Sequence, residues 1–364
     1  MNAPVYVLVG GQYGSEGKGR ITSMLADNFY AHVRVGGANA GHVFHHDERP
    51  WTMCCVPCGW KNPKAQLVLG AGAVVDPARM AAEVAEIEGV YGEGYVTRRL
   101  WIDPNATLTL PEDKLQEGGT AGELHHRIGS TGKGVGAARI GRLMRSTEDS
   151  LRVVRGNAEF MARWGAQVSE TVVTLHRWMS SGRRVFVEGT QGSGLSLTHG
   201  PWPYVTTADT NASGLLADCG IAPSWCGGVG LVVRSMPIRV AGPSGPLRGE
   251  LTWDQVSTRA GRVVSEQTTV TKKTRRIGEW DEDLLMAALL LNRPTHIFLT
   301  FGDYVDKGRN SYVRDRADAS VDLLALINKI NIACRSAGLD DTHVSYVSVG
   351  PKDDEGFWCE PWAG

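Results

Sequence analysis

Net charge is almost absent: 38 lysines and arginines stand against 39 aspartates and glutamates over 364 residues. A nucleic-acid or membrane surface needs a broad basic field, so neither partner is expected, and any anionic ligand must be small and met by local basic clusters. Long apolar runs are missing too. The run at Tyr6–Val9 stops far short of the roughly 20 residues that cross a bilayer, and no charged segment precedes it. Neither a spanning helix nor a signal peptide is expected, which points to the cytoplasm. Cysteine is sparse, odd in number and scattered, as reduced thiols are. Cys55 and Cys58 form a CxxC beside Cys54, but Cys219 and Cys226 are far away, so no zinc site is expected. With no repeat, linker or low-complexity tract, one domain over residues 1–364 with excursions is preferred to two.

What is present is glycine, concentrated where chemistry needs bare backbone. In YVLVGGQYGSEGKGR, Tyr6–Val9 reads as a buried strand running directly into Gly10, Gly11, Gly14, Gly17 and Gly19. Glycines at that density let backbone N–H groups turn onto an anion. Lys18 adds a point charge, and the segment from Arg20 to Asn28 can form a helix whose N-terminus favours phosphate. The loop is P-loop-like without being a standard P-loop, because Gln12 and Gly19 stand where that motif has Gly and Ser or Thr. A second turn, VRVGGANAGHVF, follows a strand at Val33 and Val35 and presents Asn39 and His42. An imidazole there can protonate or polarise an oxygen receiving a phosphoryl group. His45 and His46 read as loop residues without a role.

Residues 67–75 read as one buried strand, and Asp76–Pro77 as the start of a helix through about Glu88. RIGSTGKGVGAARIGRLMR holds a second anion site, with hydroxyls from Ser130 and Thr131 and charge from Arg139, Arg142 and Arg145. Helical spacing from about Asn157 to Ser180 places Phe160, Trp164, Val168, Val172, Leu175 and Trp178 near one core stripe. A strand at Arg184–Val187 leads to EGTQG, where the Gln191 amide can read a base edge, and then to Thr206 and Thr207. In TTVTKKTRRIGEW, Lys272, Lys273, Arg275 and Arg276 interleave with threonines, a composition suited to a dicarboxylate. A helix at 281–292, a strand at 295–300, a helix near 318–336 and a strand at 343–349 complete the alternation. The fold class expected is α/β, with a mostly parallel twisted sheet and ligands at the strand C-termini.

GQYGSEGKG, GGANAGH, STGKGVG, EGTQG with YVT, the Thr/Lys/Arg loop and the terminal VGP occur in the order seen in adenylosuccinate synthetases, and nearly the whole chain resembles that family. The resemblance implies transfer of a γ-phosphate to the 6-oxygen of a purine monophosphate, displacement of that phosphate by the amine of L-aspartate, a requirement for Mg2+, and a homodimer. Carried over by position, Gly14, Ser15, Glu16, Gly17, Lys18, Gly19 and Arg20 would hold the donor phosphates with Gly41, His42 and Val43, while Phe301, Asp303, Ser348, Gly350 and Pro351 would flank the donor base. Ser15, His42 and Lys18 occupy the catalytic positions, His42 as the acid. Ser15, Asn39, Ser130, Thr131, Gln191 and Thr206 would hold the nucleotide substrate, with Arg145 reaching its 5′-phosphate from a second subunit. Thr269, Val270, Thr271, Lys272, Lys273, Thr274 and Arg275 would bind aspartate. Ser15 and the Gly41 carbonyl would take the metal.

Three departures bear on substrate. The family loop reads GDEGKG, with an aspartate that takes the purine N1 proton and binds magnesium; Ser15 replaces it, leaving room beside purine C2 for a 2-amino group. This resembles the bacteriophage branch, which acts on dGMP to make the diaminopurine precursor of modified DNA; a phage-encoded protein would work in the host cytoplasm. Phe301 replaces the lysine of the guanine-reading pattern, which favours ATP or dATP over GTP. Lys273 stands where the family has arginine. An ordinary synthetase acting on IMP, and a catalytically inactive nucleotide-binding regulator, are the alternatives.

Overall fold

The computed structural model describes residues 3–267, 273–306 and 315–362. Among the described residues, the centre is a nine-stranded sheet. From edge to edge it runs Gly356–Trp358, Val344–Ser348, His296–Thr300, Cys226–Arg234, Val5–Gly10, Val185–Glu188, Ala31–Arg34, Gln66–Leu69 and Leu100–Ile102. Every neighbouring pair is parallel except the first, which is antiparallel. Parallel strands need crossover helices, which cover both faces and make each strand apolar on both sides. The sequence of the central strand satisfies this: Val5, Val7 and Val9 join one core with Leu215, Leu285 and Ile327, while Tyr6 and Leu8 join the opposite core with Ile21, Leu25 and Phe298.

The central strand ends at Gly10, where a Cβ would lie 2.5 Å from a Glu16 carboxylate oxygen and 2.6 Å from the Gln191 carbonyl. Only glycine fits that approach. Gly17, at φ 90, then turns the chain into the helix Lys18–Leu25. The strand, loop and helix read from the sequence are therefore present, as are the helix Pro77–Tyr91, capped by Asp76, the helices Glu282–Asn292 and Val321–Ser336, and the strands His296–Thr300 and Val344–Ser348.

Three local expectations are corrected. Residues 67–75 form two strands, Gln66–Leu69 and Val74–Val75, because Gly72 packs so closely on Asp218 that a Cβ there would lie 2.3 Å from its carboxyl carbon. The helical stripe from Asn157 is two helices, Ala158–Trp164 and Thr171–Ser180, and Val168 between them bridges to Ile102. His45 and His46 belong to a strand, His42–His46, paired antiparallel with Arg49–Met53.

Candidate active site

The C-terminal ends of the central strands open onto a cavity of about 220 Å3. Its lining unites segments that are far apart in sequence: Gly14, Ser15 and Lys18; Asn39, Gly41 and His42; Ser130 and Thr131; Gln191; Thr206 and Thr207; Lys273 and Arg275. Position at the strand C-termini is where open α/β sheets bind ligands.

Inside the glycine loop, Glu16 is fully buried and turned away from solvent. Its carboxylate accepts from the amides of Gln12 and Gly14 at 3.1 and 2.8 Å and pairs with the Lys18 ammonium at 2.5 Å. Glu16 thus shapes the cradle and orients Lys18, and its carboxylate is not directed at a base bound above Ser15. Ser15 itself is exposed at φ 59. Two guanidinium groups converge on it: Arg275 Nη1 donates to the hydroxyl at 2.6 Å and Arg234 Nη1 to the carbonyl at 3.1 Å.

His42 is set by a buried charge cluster that the sequence does not disclose. Its Nδ1–H donates to Glu188 Oε1 at 2.5 Å, Arg34 pairs with the same oxygen, and the Cys58 amide donates to Glu188 Oε2 at 2.7 Å. Burial of the Glu188 carboxylate opposes its ionisation, but Arg34 and His42 hold its pKa down to about 2. Burial and the adjacent Arg34 cation push His42 down to about 4. The imidazole is therefore neutral near pH 7, with Nδ1 tied and Nε2 the free nitrogen. Entering phosphates, being anionic, raise its proton affinity. His42, Cys58 and Glu188 atoms lie within 4.8 Å of one another, but the Arg34 cation occupies Glu188, so a metal ion is not suited to this cluster.

Other expected residues are placed as follows. His125 Nε2 accepts from Lys273 at 3.1 Å, while its Nδ1–H donates to the Ser130 carbonyl at 2.7 Å, so an unassigned histidine supports the basic loop. Thr269, Val270, Thr271 and Lys272 lie outside the described residues, and Thr274 bridges to Gln267 at the base of that loop. Arg139, Arg142 and Arg276 do not serve as cavity charges. Arg139 donates to the Gly72 carbonyl, Arg142 to the Asn105 carbonyl and Thr107 hydroxyl, and Arg276 pairs with Glu250. Each has found backbone or carboxylate partners that sequence spacing does not forecast. Arg145 is exposed at the end of the helix Val135–Met144, outside the cavity lining. Val43 is also outside it, on the strand after His42.

Arg20 faces the chain end: its guanidinium donates to Ser348, Tyr346 and the carbonyls of Gly350, Lys352 and Glu355. It fixes the segment containing Ser348, Gly350 and Pro351 against the helix after the glycine loop. Phe301 abuts Gly17, lies under the Arg234 guanidinium at 3.8 Å, and meets Tyr304 edge-on. Asp303 is paired with Arg262, and burial raises its pKa to about 6.

The model of the family "Adenylosuccinate synthetase" matches residues 7–155 and 144–310. The synthetase of Methanococcus maripaludis (strain C5) is 38% identical over 304 residues, 82% of this chain and 85% of its own, and that of Thermococcus onnurineus is 34% identical over 308, 84% and 86%.

The chain belongs to the adenylosuccinate synthetase family.

It is thus a C–N ligase of purine biosynthesis that binds nucleotides. Among solved structures, the succinoaminodeoxyadenylate synthetase of cyanophage S-2L, bound to dGMP and to dATP as an energy donor, superposes with a TM-score of 0.80 at 26% identity, covering 99% of this chain and 97% of that one. The fully ligated adenylosuccinate synthetase of Plasmodium falciparum shares the fold, with a TM-score of 0.82 at 20% identity over 98% of this chain and 100% of that one. Adenylosuccinate synthetases generally depend on Mg2+. The residues fit that ion in part: the Gly41 carbonyl borders the cavity beside the phosphate cradle, whereas the Ser15 hydroxyl already accepts from Arg275. A cation there is suited chiefly to substrate phosphates plus that carbonyl.

Proposed function

We propose that the chain joins L-aspartate to C6 of dGMP, driven by ATP or dATP, to give N6-succino-2-amino-2′-deoxyadenylate, a nucleoside diphosphate and phosphate, for DNA containing 2-aminoadenine. The observation that carries this reading is the corner at Ser15. Where the family has a carboxylate, a short neutral side chain faces the cavity, with Arg275 on its hydroxyl and Arg234 on its backbone carbonyl, and Glu16 is turned inward. A 2-amino group finds space and a hydroxyl oxygen there.

Lys18 and the amides of the glycine loop hold the donor phosphates. The 6-oxygen attacks the γ-phosphorus, the bond to the leaving diphosphate breaks, and N1 gives up its proton to water or a phosphate oxygen, no carboxylate being directed at it. His42, protonated at Nε2 once the phosphates are bound, donates to the phosphorylated oxygen while Glu188 keeps its Nδ1–H in place. Aspartate, oriented by Lys273 and Arg275, attacks C6 through its amine; the C6–O bond breaks, phosphate departs with the oxygen, and the amine loses a proton. When bound, Mg2+ supplies charge neutralisation between the phosphates, and the Gly41 carbonyl is the protein oxygen suited to it. Asn39, Ser130, Thr131, Gln191 and Thr206 surround the nucleotide.

ATP or dATP is favoured over GTP because Arg262 occupies Asp303 and Phe301 offers an aromatic wall in place of a lysine. A second copy supplies Arg145: in its own subunit that residue is outside the cavity, beside exposed Leu143 and Met144, 74% and 71% accessible, which a partner would cover. The archaeal relatives favour a second reading, an ordinary synthetase acting on IMP. The test is aspartate-dependent phosphate release with dGMP and Mg2+, comparing ATP, dATP and GTP. Release with the adenine donors supports the proposal; no aspartate dependence would support an inactive regulator instead.

A further inference from the structure

Glu266 has no role in the reaction just described, yet it lies where the two sides of the site meet. Its carboxylate pairs with Arg234, accepts from the Tyr304 hydroxyl at 2.8 Å, and lies 3.9 Å from Arg275 Nε. Its carbonyl accepts from the Arg275 amide at 2.9 Å. The two guanidinium groups that flank this carboxylate are the same two that converge on Ser15, one on its carbonyl and one on its hydroxyl. Arg234 also covers Phe301, on the wall assigned to the donor base, whereas Arg275 belongs to the segment assigned to aspartate. Two buried cations that close to each other repel, and only a carboxylate between them lets both remain in place. Arg234 is fully buried and Arg275 has only 10% of its side chain accessible. Burial opposes ionisation of Glu266, but Arg234 outweighs it and the carboxyl stays below its ordinary pKa.

We propose that Glu266 is a positioning residue that couples donor binding to aspartate binding, by holding Arg234 and Arg275 together on Ser15. The proposal rests on the ligase reading above. A donor base that seats against Phe301 holds that ring under the Arg234 guanidinium, and the position of Arg234 fixes Glu266, which fixes Arg275 for the dicarboxylate. Because coupling is reciprocal, aspartate must tighten donor binding by the same factor by which the donor tightens aspartate binding.

The experiment measures aspartate KM at low and at saturating ATP, with dGMP and with IMP, for the wild type, Glu266→Gln and Glu266→Asp, together with Tm. In the wild type, saturating donor lowers aspartate KM. Glu266→Gln is expected to raise aspartate KM about tenfold or more, to change kcat by less than about threefold, and to bring the ratio of aspartate KM values at the two donor levels to one. Glu266→Asp, which keeps the charge, should restore part of that ratio. A lower Tm with aspartate KM and its donor dependence unchanged would overturn the proposal and leave Glu266 a fold residue. If Glu266→Gln does not fold, Tyr304→Phe removes one anchor of the same carboxylate and should shift the ratio in the same direction; an unchanged ratio would overturn it. Absence of aspartate-dependent turnover in the wild type with either nucleotide overturns the ligase reading itself, a result distinct from both.

Discussion

Glu188→Gln isolates the charge cluster behind His42. The substitution keeps volume and removes one negative charge from a site where Arg34, the His42 imidazole and the Cys58 amide all converge. Arg34 is 3% accessible and would face a neutral amide oxygen and the carbonyls of Ala40 and Met53, with no counter-charge. Breaking a buried pair by removing one member costs about 3–5 kcal/mol, because the remaining charge is left buried. At about 2 °C per kcal/mol for a chain of this size, Tm should fall by roughly 6–10 °C. The catalytic loss has a separate origin. Glu188 raises the proton affinity of His42, whose pKa is already about 4, and selects the tautomer with Nδ1 protonated. Without the carboxylate, Nε2 is harder to protonate and the ring is less well oriented, so kcat should fall by about 10²–10⁴-fold, the range of positioned general acid–base catalysis. Calorimetry gives the first quantity. Steady-state phosphate release below the new Tm gives the second, with the KM of the nucleotide little changed. A variant that loses stability but keeps kcat within threefold of wild type would refute the role given to His42 and leave Glu188 an anchor of the fold.

Two further outcomes are expected. Ser15→Asp should lower kcat/KM for dGMP by about 10–200-fold, the scale of one group misplaced in a pocket, and raise it for IMP; unchanged dGMP use would refute the steric argument at purine C2. Acid should destabilise the protein between pH 6.5 and 4. His42, and His32 with its Nε2 against the Ala26 carbonyl at 3.1 Å, both have folded-state pKa values lowered from 6.5 to about 4, chiefly by burial. The unfolded chain binds more protons in that window, so stability falls as pH falls, by about 2 kcal/mol per histidine between pH 7 and 5. Glu188, lowered from 4.5 to about 2, keeps its contribution down to about pH 4.5 and loses it progressively as pH falls further toward 2. A Tm that does not change between pH 7 and 5 would contradict the burial of both rings.

The parts of the site legible in the sequence are those where backbone itself is functional. The strand, the glycine loop and the following helix are contiguous, so spacing reveals them; His42, Ser130, Thr131, Gln191 and Thr206 each stand beside a glycine or another hydroxyl, and Asn39 lies within the glycine-bounded turn GGANAGH. Partners at long range are not legible. Glu188 lies 154 residues from Arg34 and 146 from His42, and nothing local in EGTQG distinguishes a buried carboxylate that orients an imidazole from the end of an ordinary strand. The same holds for Glu266, whose partners Arg234, Arg275 and Tyr304 come from three segments. Charge runs mislead in the opposite direction: Arg139, Arg142 and Arg276 look like anion ligands, and are taken up by carbonyls and a carboxylate elsewhere in the fold. The helix from Asn157 to Ser180 failed because the stripe continues across Gly165, where the chain breaks to let Val168 reach Ile102.

The most direct measurement of the central claim is a competition: dGMP and IMP together in one vessel with aspartate, ATP and Mg2+, the two succino products separated by mass. Product from dGMP exceeding that from IMP by a hundredfold or more is the result predicted from Ser15 in its neutral corner. Product from IMP alone would contradict it and return the protein to ordinary purine synthesis.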